Sequence, residues 1–269
     1  MLALSKYFAP VVLILACFSC KVSPDRSLAE EPLVNTDLDD IVKRGYITAL
    51  VDNNSFSYFV YKGHPMGYEY ELLRLLAKHL KVGLKIKVTS GVEHAFEQLN
   101  AGEGDIVAFP LTITKPRKSA VNFTRAHFNT YQVLVQRKPE NWQKLKLNDL
   151  NGRLIRDPAD LVGKKVHVIK GTSHELRLRN LSEELGGDII IQEDTSSMES
   201  ESLIRKVALG EIELTVADHT MARISAAYYP RLDINTVLSL PQQIAWAVRK
   251  NSPELEEVIN QWLTGIKAQ

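Results

Sequence analysis

Cysteine is nearly absent: Cys17 and Cys20 are the only two, and both fall within the first twenty residues. The chain beyond them holds no intramolecular disulfide framework and no Cys/His zinc pattern. Excess charge of either sign is lacking as well. With 33 Lys+Arg against 32 Asp+Glu the net charge is +1, which leaves no surplus of cations to neutralise a nucleic acid's phosphates, so no nucleic-acid partner is expected. Long apolar runs are missing: Tyr7 to Cys20 covers about 14 residues, short of the roughly 20 that a membrane-spanning helix needs. The seven histidines are scattered, with no His-Glu-x-x-His, and Gly102-Glu103-Gly104 reads as a turn rather than a phosphate loop. Neither a metal nor a cofactor is therefore expected. His79, His94 and His127 read as surface or helix-face residues.

What is present begins with an export signal. Lys6, the apolar run to Cys20, and then polar Lys21-Val22-Ser23-Pro24-Asp25 have the order of a secretory signal peptide. Its end resembles a bacterial lipoprotein signal, in which a cysteine carries the lipid. Cys20 closes the apolar run and is preferred, while Cys17, after Ile14-Leu15-Ala16, is the alternative; a plain signal with incidental cysteines is the competing reading. Residues 1–20 are then the signal, 21–35 a polar tether, and 36–269 a domain held at the periplasmic face of a membrane, the outer membrane by preference, through buried acyl chains.

Past the tether, short β-branched runs alternate with amphipathic stretches, the pattern of an α/β fold. Strands are expected at 45–51, 84–88, 105–109, 166–169, 189–191 and 214–217. Helices are expected over 68–80, 92–100, 173–185, 200–209 and 253–268, from apolar residues such as Leu72, Leu73, Leu76 and Leu80 falling on one face. Two α/β units of similar style are implied, with polar residues 139–160 between them.

Several motifs in order carry a family resemblance. Gly67-Tyr68-Glu69-Tyr70-Glu71-Leu72, Gly104-Asp105-Ile106-Val107, Leu111-Thr112-Ile113-Thr114-Lys115-Pro116-Arg117, Leu161-Val162-Gly163-Lys164-Lys165-Val166, Gly171-Thr172-Ser173 and Val216-Ala217-Asp218 resemble the bacterial extracellular solute-binding proteins of family 3, over residues 36–269. Leu214 to Asp218, Tyr229-Pro230 and Ala245-Trp246-Ala247-Val248-Arg249 are similar, more narrowly, to the receptor-like regulatory domain of the membrane-bound lytic transglycosylase F family. The resemblance implies the two-lobed, type II periplasmic-binding fold. One lobe would take 36–131 and 246–269, the other 138–237, with 132–137 and 238–245 as hinge strands, and the lobes would close on a ligand by rotation about that hinge.

The same resemblance assigns roles. Arg117 grips a ligand carboxylate with the paired donors of its guanidinium; Thr112 adds a donor from the same loop, and Thr172 and Ser173 add others from a helix start, where free amides favour an anion. Asp218 meets a ligand ammonium, and Asp52 and Tyr58 line the side-chain end. Simpler readings compete: Asp218 and the Thr172-Ser173 pair could be helix caps, and Arg117 a surface arginine. Phe109-Pro110 departs from the amino-acid binders, since proline offers no N–H, and shifts the expected ligand from a free amino acid towards a peptide or cell-wall fragment. No catalytic residue is expected, because Glu199-Ser200 lacks the segment that follows the general-acid glutamate of lytic transglycosylases. The functions left are a membrane-tethered sensor, a receptor handing a polar solute to a permease, or the non-catalytic part of a transglycosylase.

Overall fold

The computed structural model of the chain describes residues 34–195 and 200–267. The signal segment with Cys17 and Cys20, nearly all of the tether, and Glu199 lie outside the described residues. In chain order the strands are β1 (Tyr46–Val51), β2 (Phe59–Tyr61), β3 (His64–Met66), β4 (Gly83–Val88), β5 (Ile106–Thr112), β6 (Asn122–Phe123), β7 (Phe128–Thr130), β8 (Gln132–Arg137), β9 (Lys165–Ile169), β10 (Ile190–Asp194), β11 (Leu214–Asp218), β12 (Leu232–Val237) and β13 (Gln242–Val248). The α-helices are α1 (Leu38–Arg44), α2 (Tyr68–Leu80), α3 (Val92–Asn100), α4 (Arg117–Ala120), α5 (Leu147–Asn151), α6 (Ser173–Leu185), α7 (Ser200–Leu209), α8 (His219–Tyr228) and α9 (Pro253–Lys267).

Among the described residues the strands form two main sheets, ordered β4-β1-β5-β13-β6 with β7 also on β13, and β10-β9-β11-β8-β12; β2 and β3 make a separate hairpin. Each sheet buries both faces, which is why its strands carry continuous apolar runs. On β1, Ile47, Ala49 and Val51 pack with Leu73, Leu76, Ile259 and Trp262 from α2 and α9. Leu50, between them, points the other way, to Phe96 and Leu99 of α3. The second sheet repeats this arrangement, with Leu134 and Val216 facing Leu178 of α6, and Val133, Val135 and Ala217 facing Ile204 of α7. Two doubly wound α/β lobes result, each with its own core.

The chain crosses between the sheets twice. Thr130 ends β7 in the first and Gln132 opens β8 in the second, so the outward crossing is at Tyr131; the return is 238–241, between β12 and β13. The crossing backbone is thus shorter than the expected hinge strands. Residues 132–137 are β8, an inner strand held by β11 and β12, and 242–245 already belong to β13. The cause is the apolar content of these stretches: Val133, Leu134, Val135, Ile244 and Ala245 are all buried.

His127 corrects the reading of the histidines. It is 8% exposed, and its Nε2 lies 3.2 Å from Oε1 of Glu69, whose other oxygen accepts a 2.7 Å hydrogen bond from Nε1 of Trp246. Glu69 is fully buried at the start of α2, and the two rings let its carboxylate stay there. Trp246→Phe removes this donor and leaves a smaller ring in a fully buried site; it is expected to lower unfolding free energy by at least about 1.5 kcal/mol, the low end for a hydrogen bond to a charged group, with the unfilled volume adding to the loss. Urea denaturation checks this, and an unchanged midpoint would contradict it.

Candidate functional site

Between the lobes lies a cavity of about 350 Å³, at the small end of the range for small-molecule sites. It sits beyond the C-terminal ends of β1, β5, β9 and β11, where an α/β sheet presents loops and helix starts. Lobe 1 contributes Asp52 after β1, Gly91 and Glu93 at the start of α3, Phe109 and Pro110 on β5, and Arg117; lobe 2 contributes Gly171 to His174, Glu201 and Asp218.

Arg117 opens α4, and its Nη1 donates to the carbonyl oxygen of Thr112 at 3.1 Å. Among the described residues it makes no ion pair. Burial pushes its pKa down, against the opposing pull of Glu93 and Asp218. Asp218 faces it from the end of β11. Although Asp218 stands at the N-cap of α8, its side chain makes no capping bond; Oδ2 is 3.6 Å from Nε2 of His174, while Oδ1 is buried and without a partner. A cation and an anion, each short of partners, therefore flank one cavity.

Thr172 is a working cap: its hydroxyl accepts from the Glu175 N–H at 3.4 Å and donates to the Ile169 carbonyl at 2.7 Å. Any ligand contact from Thr172 is left to its main chain. Ser173 and Thr112 meet across the cleft, Oγ to Oγ1 at 3.5 Å. Thr112, 5% exposed, sits behind the cavity wall and reaches the site through Ser173 and Arg117. Asp52 lines the cavity and receives the Asn54 amide on Oδ2, leaving Oδ1 buried without a partner. Tyr58 does not reach the cavity. Its ring packs on Tyr70 at 5.7 Å and against the core of lobe 1, because the chain turns at 53–57 and hands the wall position to Phe56. Phe56 stacks on Tyr68 at 5.1 Å and meets Phe128 edge-on at 5.7 Å, making an apolar wall.

Phe109 and Pro110 do line the cavity. Proline is tolerated within β5 because the ladder to β1 covers Ile106 and Val107 alone, and the register to β13 shifts between Ala245 and Ala247. The lobes approach closely around the site. Glu201 of α7 accepts from the Ser55 N–H at 3.0 Å and from the Ser55 hydroxyl at 2.8 Å, and Gly171, at φ +75°, comes so near α3 that a Cβ would lie 2.9 Å from Oε1 of Glu93. The sequence reading missed Phe56, Glu93, His174 and Glu201. His174 follows Thr172-Ser173 directly and could have been drawn in by adjacency, whereas Glu201 becomes visible only when the lobes are brought together.

A cleft between two α/β lobes, with an arginine on one wall and on the other an aspartate that keeps one oxygen without a partner among the described residues, is the architecture of the two-lobed periplasmic-binding class. The chain belongs to the bacterial extracellular solute-binding proteins, family 3, whose model matches residues 47–269. It is 34% identical over 228 residues to a membrane-bound lytic murein transglycosylase F of Desulfosudis oleivorans, covering 84% of this chain and 47% of that protein. It is also 32% identical over 221 residues to a protein of that name from Photobacterium profundum, covering 81% and 40%. The chain thus spans less than half the length of these curated relatives. Among solved structures, a truncated, arginine-bound ArgBP from T. maritima superposes with a TM-score of 0.70 at 27% identity, covering 85% of this chain and 99% of that one. An ancestral amino acid-binding protein, a precursor of cyclohexadienyl dehydratase, gives 0.69 at 27%, covering 86% and 93%.

Burial pushes the Asp52 carboxyl up from 3.8 to about 7, with repulsion from the Glu69 carboxylate adding to it. Between these two values the folded protein holds a proton that the unfolded chain releases, so this group's contribution to stability falls as pH rises from about 4 to about 7 and is level above. Asp52→Asn is expected to remove that decline. The difference between wild-type and variant unfolding free energies, measured in steps from pH 4 to pH 8, should favour the variant increasingly up to about pH 7; a constant difference would contradict the assignment.

Proposed function

We propose that this chain is a membrane-tethered periplasmic binding module that closes on a small carboxylate-bearing ligand, an amino acid, a peptide or a cell-wall fragment, and serves as the sensing part of a lytic transglycosylase F type system. The observation that carries the reading is Arg117: a half-buried guanidinium lining the interlobe cavity whose one hydrogen bond among the described residues is to a main-chain carbonyl. Such a group has two or more donors free for a planar anion, and a bidentate carboxylate matches their fork. Asp218 opposite supplies the counter-charge for a ligand ammonium, with Ser173 and the main chain of Thr172 at the start of α6 adding donors. Asp52 and the Phe56 wall form the end where a ligand side chain, or the next residue of a peptide, lies.

The arginine-bound relative supports a zwitterionic ligand, and the transglycosylase relatives support a cell-wall setting, with lipidation at Cys20, or Cys17, as the membrane anchor. The second reading, a receptor delivering a polar solute to a permease, is favoured by the likeness to amino acid-binding proteins. Glycosidic chemistry is a property of the relatives in their full length; the family match here is to a solute-binding domain.

A thermal-shift screen against amino acids, short peptides and soluble muropeptides separates these readings, because a ligand of the folded closed form raises the melting temperature. Muropeptide hits support the cell-wall sensor and free amino-acid hits the transport receptor. Arg117→Ala is expected to abolish the shift and to weaken binding at least tenfold, whereas hits that survive Arg117→Ala would overturn the carboxylate grip.

A further inference from the structure

At the junction of the two lobes lies a closed ring of four polar side chains, each from a different piece of the fold. Gln132, the first residue of β8, is fully buried, and its Nε2 donates to Oε1 of Gln242, the first residue of β13, at 3.2 Å and to Oγ of Ser173 at 3.4 Å. Thr112, at the end of β5, completes the ring, with Oγ1 at 3.4 Å from the same Gln242 oxygen and 3.5 Å from Ser173 Oγ. The backbone of Gln132 is pinned to the return crossing as well: its N–H donates to Ser239 Oγ at 2.9 Å and its carbonyl accepts from the Leu238 N–H at 2.8 Å. Gln132 thus touches both crossings and, through Ser173, the cavity.

The ring has a direction. An amide NH₂ only donates, so Ser173 Oγ is an acceptor towards Gln132, and its own hydrogen is left for Thr112 or for the cavity. A carboxylate entering beside Arg117 is a far better acceptor than a hydroxyl at 3.5 Å. Two links of the ring stay within a lobe, Thr112 to Gln242 and Gln132 to Ser173; the other two, Gln132 to Gln242 and Thr112 to Ser173, join the lobes.

We propose that Gln132 is a positioning residue of the binding site: it orients the Ser173 hydroxyl to donate to the ligand's carboxylate and, through Gln242, ties that orientation to closure of the lobes. This rests on the carboxylate-binding reading of the cleft. Gln132→Glu is nearly isosteric but accepts the Ser173 hydrogen instead of donating to its oxygen, so Ser173 has no hydrogen left for the ligand.

The test is a double-mutant cycle with L-arginine as the probe, read by titration calorimetry. Gln132→Glu is expected to weaken binding at least tenfold in the wild-type background, where the hydrogen bond from Ser173 to a charged group is lost, and by a clearly smaller factor in a Ser173→Ala background, where only the broken link to Gln242 and the changed charge remain. An equal loss in both backgrounds, or no loss in the first, would overturn the proposal. Arg117→Ala is measured alongside: if it leaves arginine binding intact, the reading of the cleft fails, while the cycle still reports whether Gln132 acts through Ser173. Should the wild type not bind arginine, small-angle scattering of the protein without ligand decides. Gln132→Leu removes an interlobe link and is expected to enlarge the radius of gyration; a radius equal to that of the wild type would overturn the role in closure.

Discussion

A guanidinium partly withdrawn from water favours an anion beside it, and among the described residues none lies within ion-pairing distance of Arg117. Much of the site follows from that constraint. The Thr112 carbonyl fixes one nitrogen, so the remaining donors keep one orientation as the side chain loses its freedom. Asp218 and Glu93 are near enough to favour the charged form without closing an ion pair. The charge is balanced through space. The groups around it come from both lobes, with Asp218 and the start of α6 standing across the cleft from Arg117.

The remaining architecture holds these parts at the right separation. Each lobe is stiffened by apolar layers on both faces of its sheet, which fixes the strand ends at Asp52 and Asp218 and the helix starts at Arg117 and Thr172 within their own lobe. The chain passes between the lobes only at the short crossings at 131 and 238–241 among the described residues. The bond between Ser55 and Glu201, the near contact of Gly171 with Glu93, and the ring around Gln132 mark where the two rigid bodies meet.

The α/β character and most element positions were legible in the sequence because they depend on local pattern. The helices at 68–80, 92–100, 173–185 and 200–209 have the bounds that their apolar spacing and flanking Gly or Thr predict. Family order pointed to Arg117, Thr172, Ser173, Asp218 and Asp52, and the structure brings all of these to one cavity. What was not legible depends on long-range packing. The His127 side chain is polar by composition, yet it is buried because Glu69, 58 positions earlier, needs a partner in the core. Tyr58 and Phe56 are two residues apart in a loop without periodicity, and only the turn at 53–57 decides which faces the cavity. The crossings are shorter than the expected hinge strands because Val133-Leu134-Val135 is a continuous apolar run that pairs inside a sheet.

The central claim is that Arg117 is completed by the carboxylate of a ligand held between the lobes, and a crystal structure grown with the ligand giving the largest thermal shift tests it most directly. The account predicts a carboxylate paired with the Arg117 guanidinium, its neighbouring cationic group on Asp218, and the Ser173 hydroxyl on the same carboxylate. A ligand bound elsewhere, with Arg117 turned onto Glu93, would contradict it.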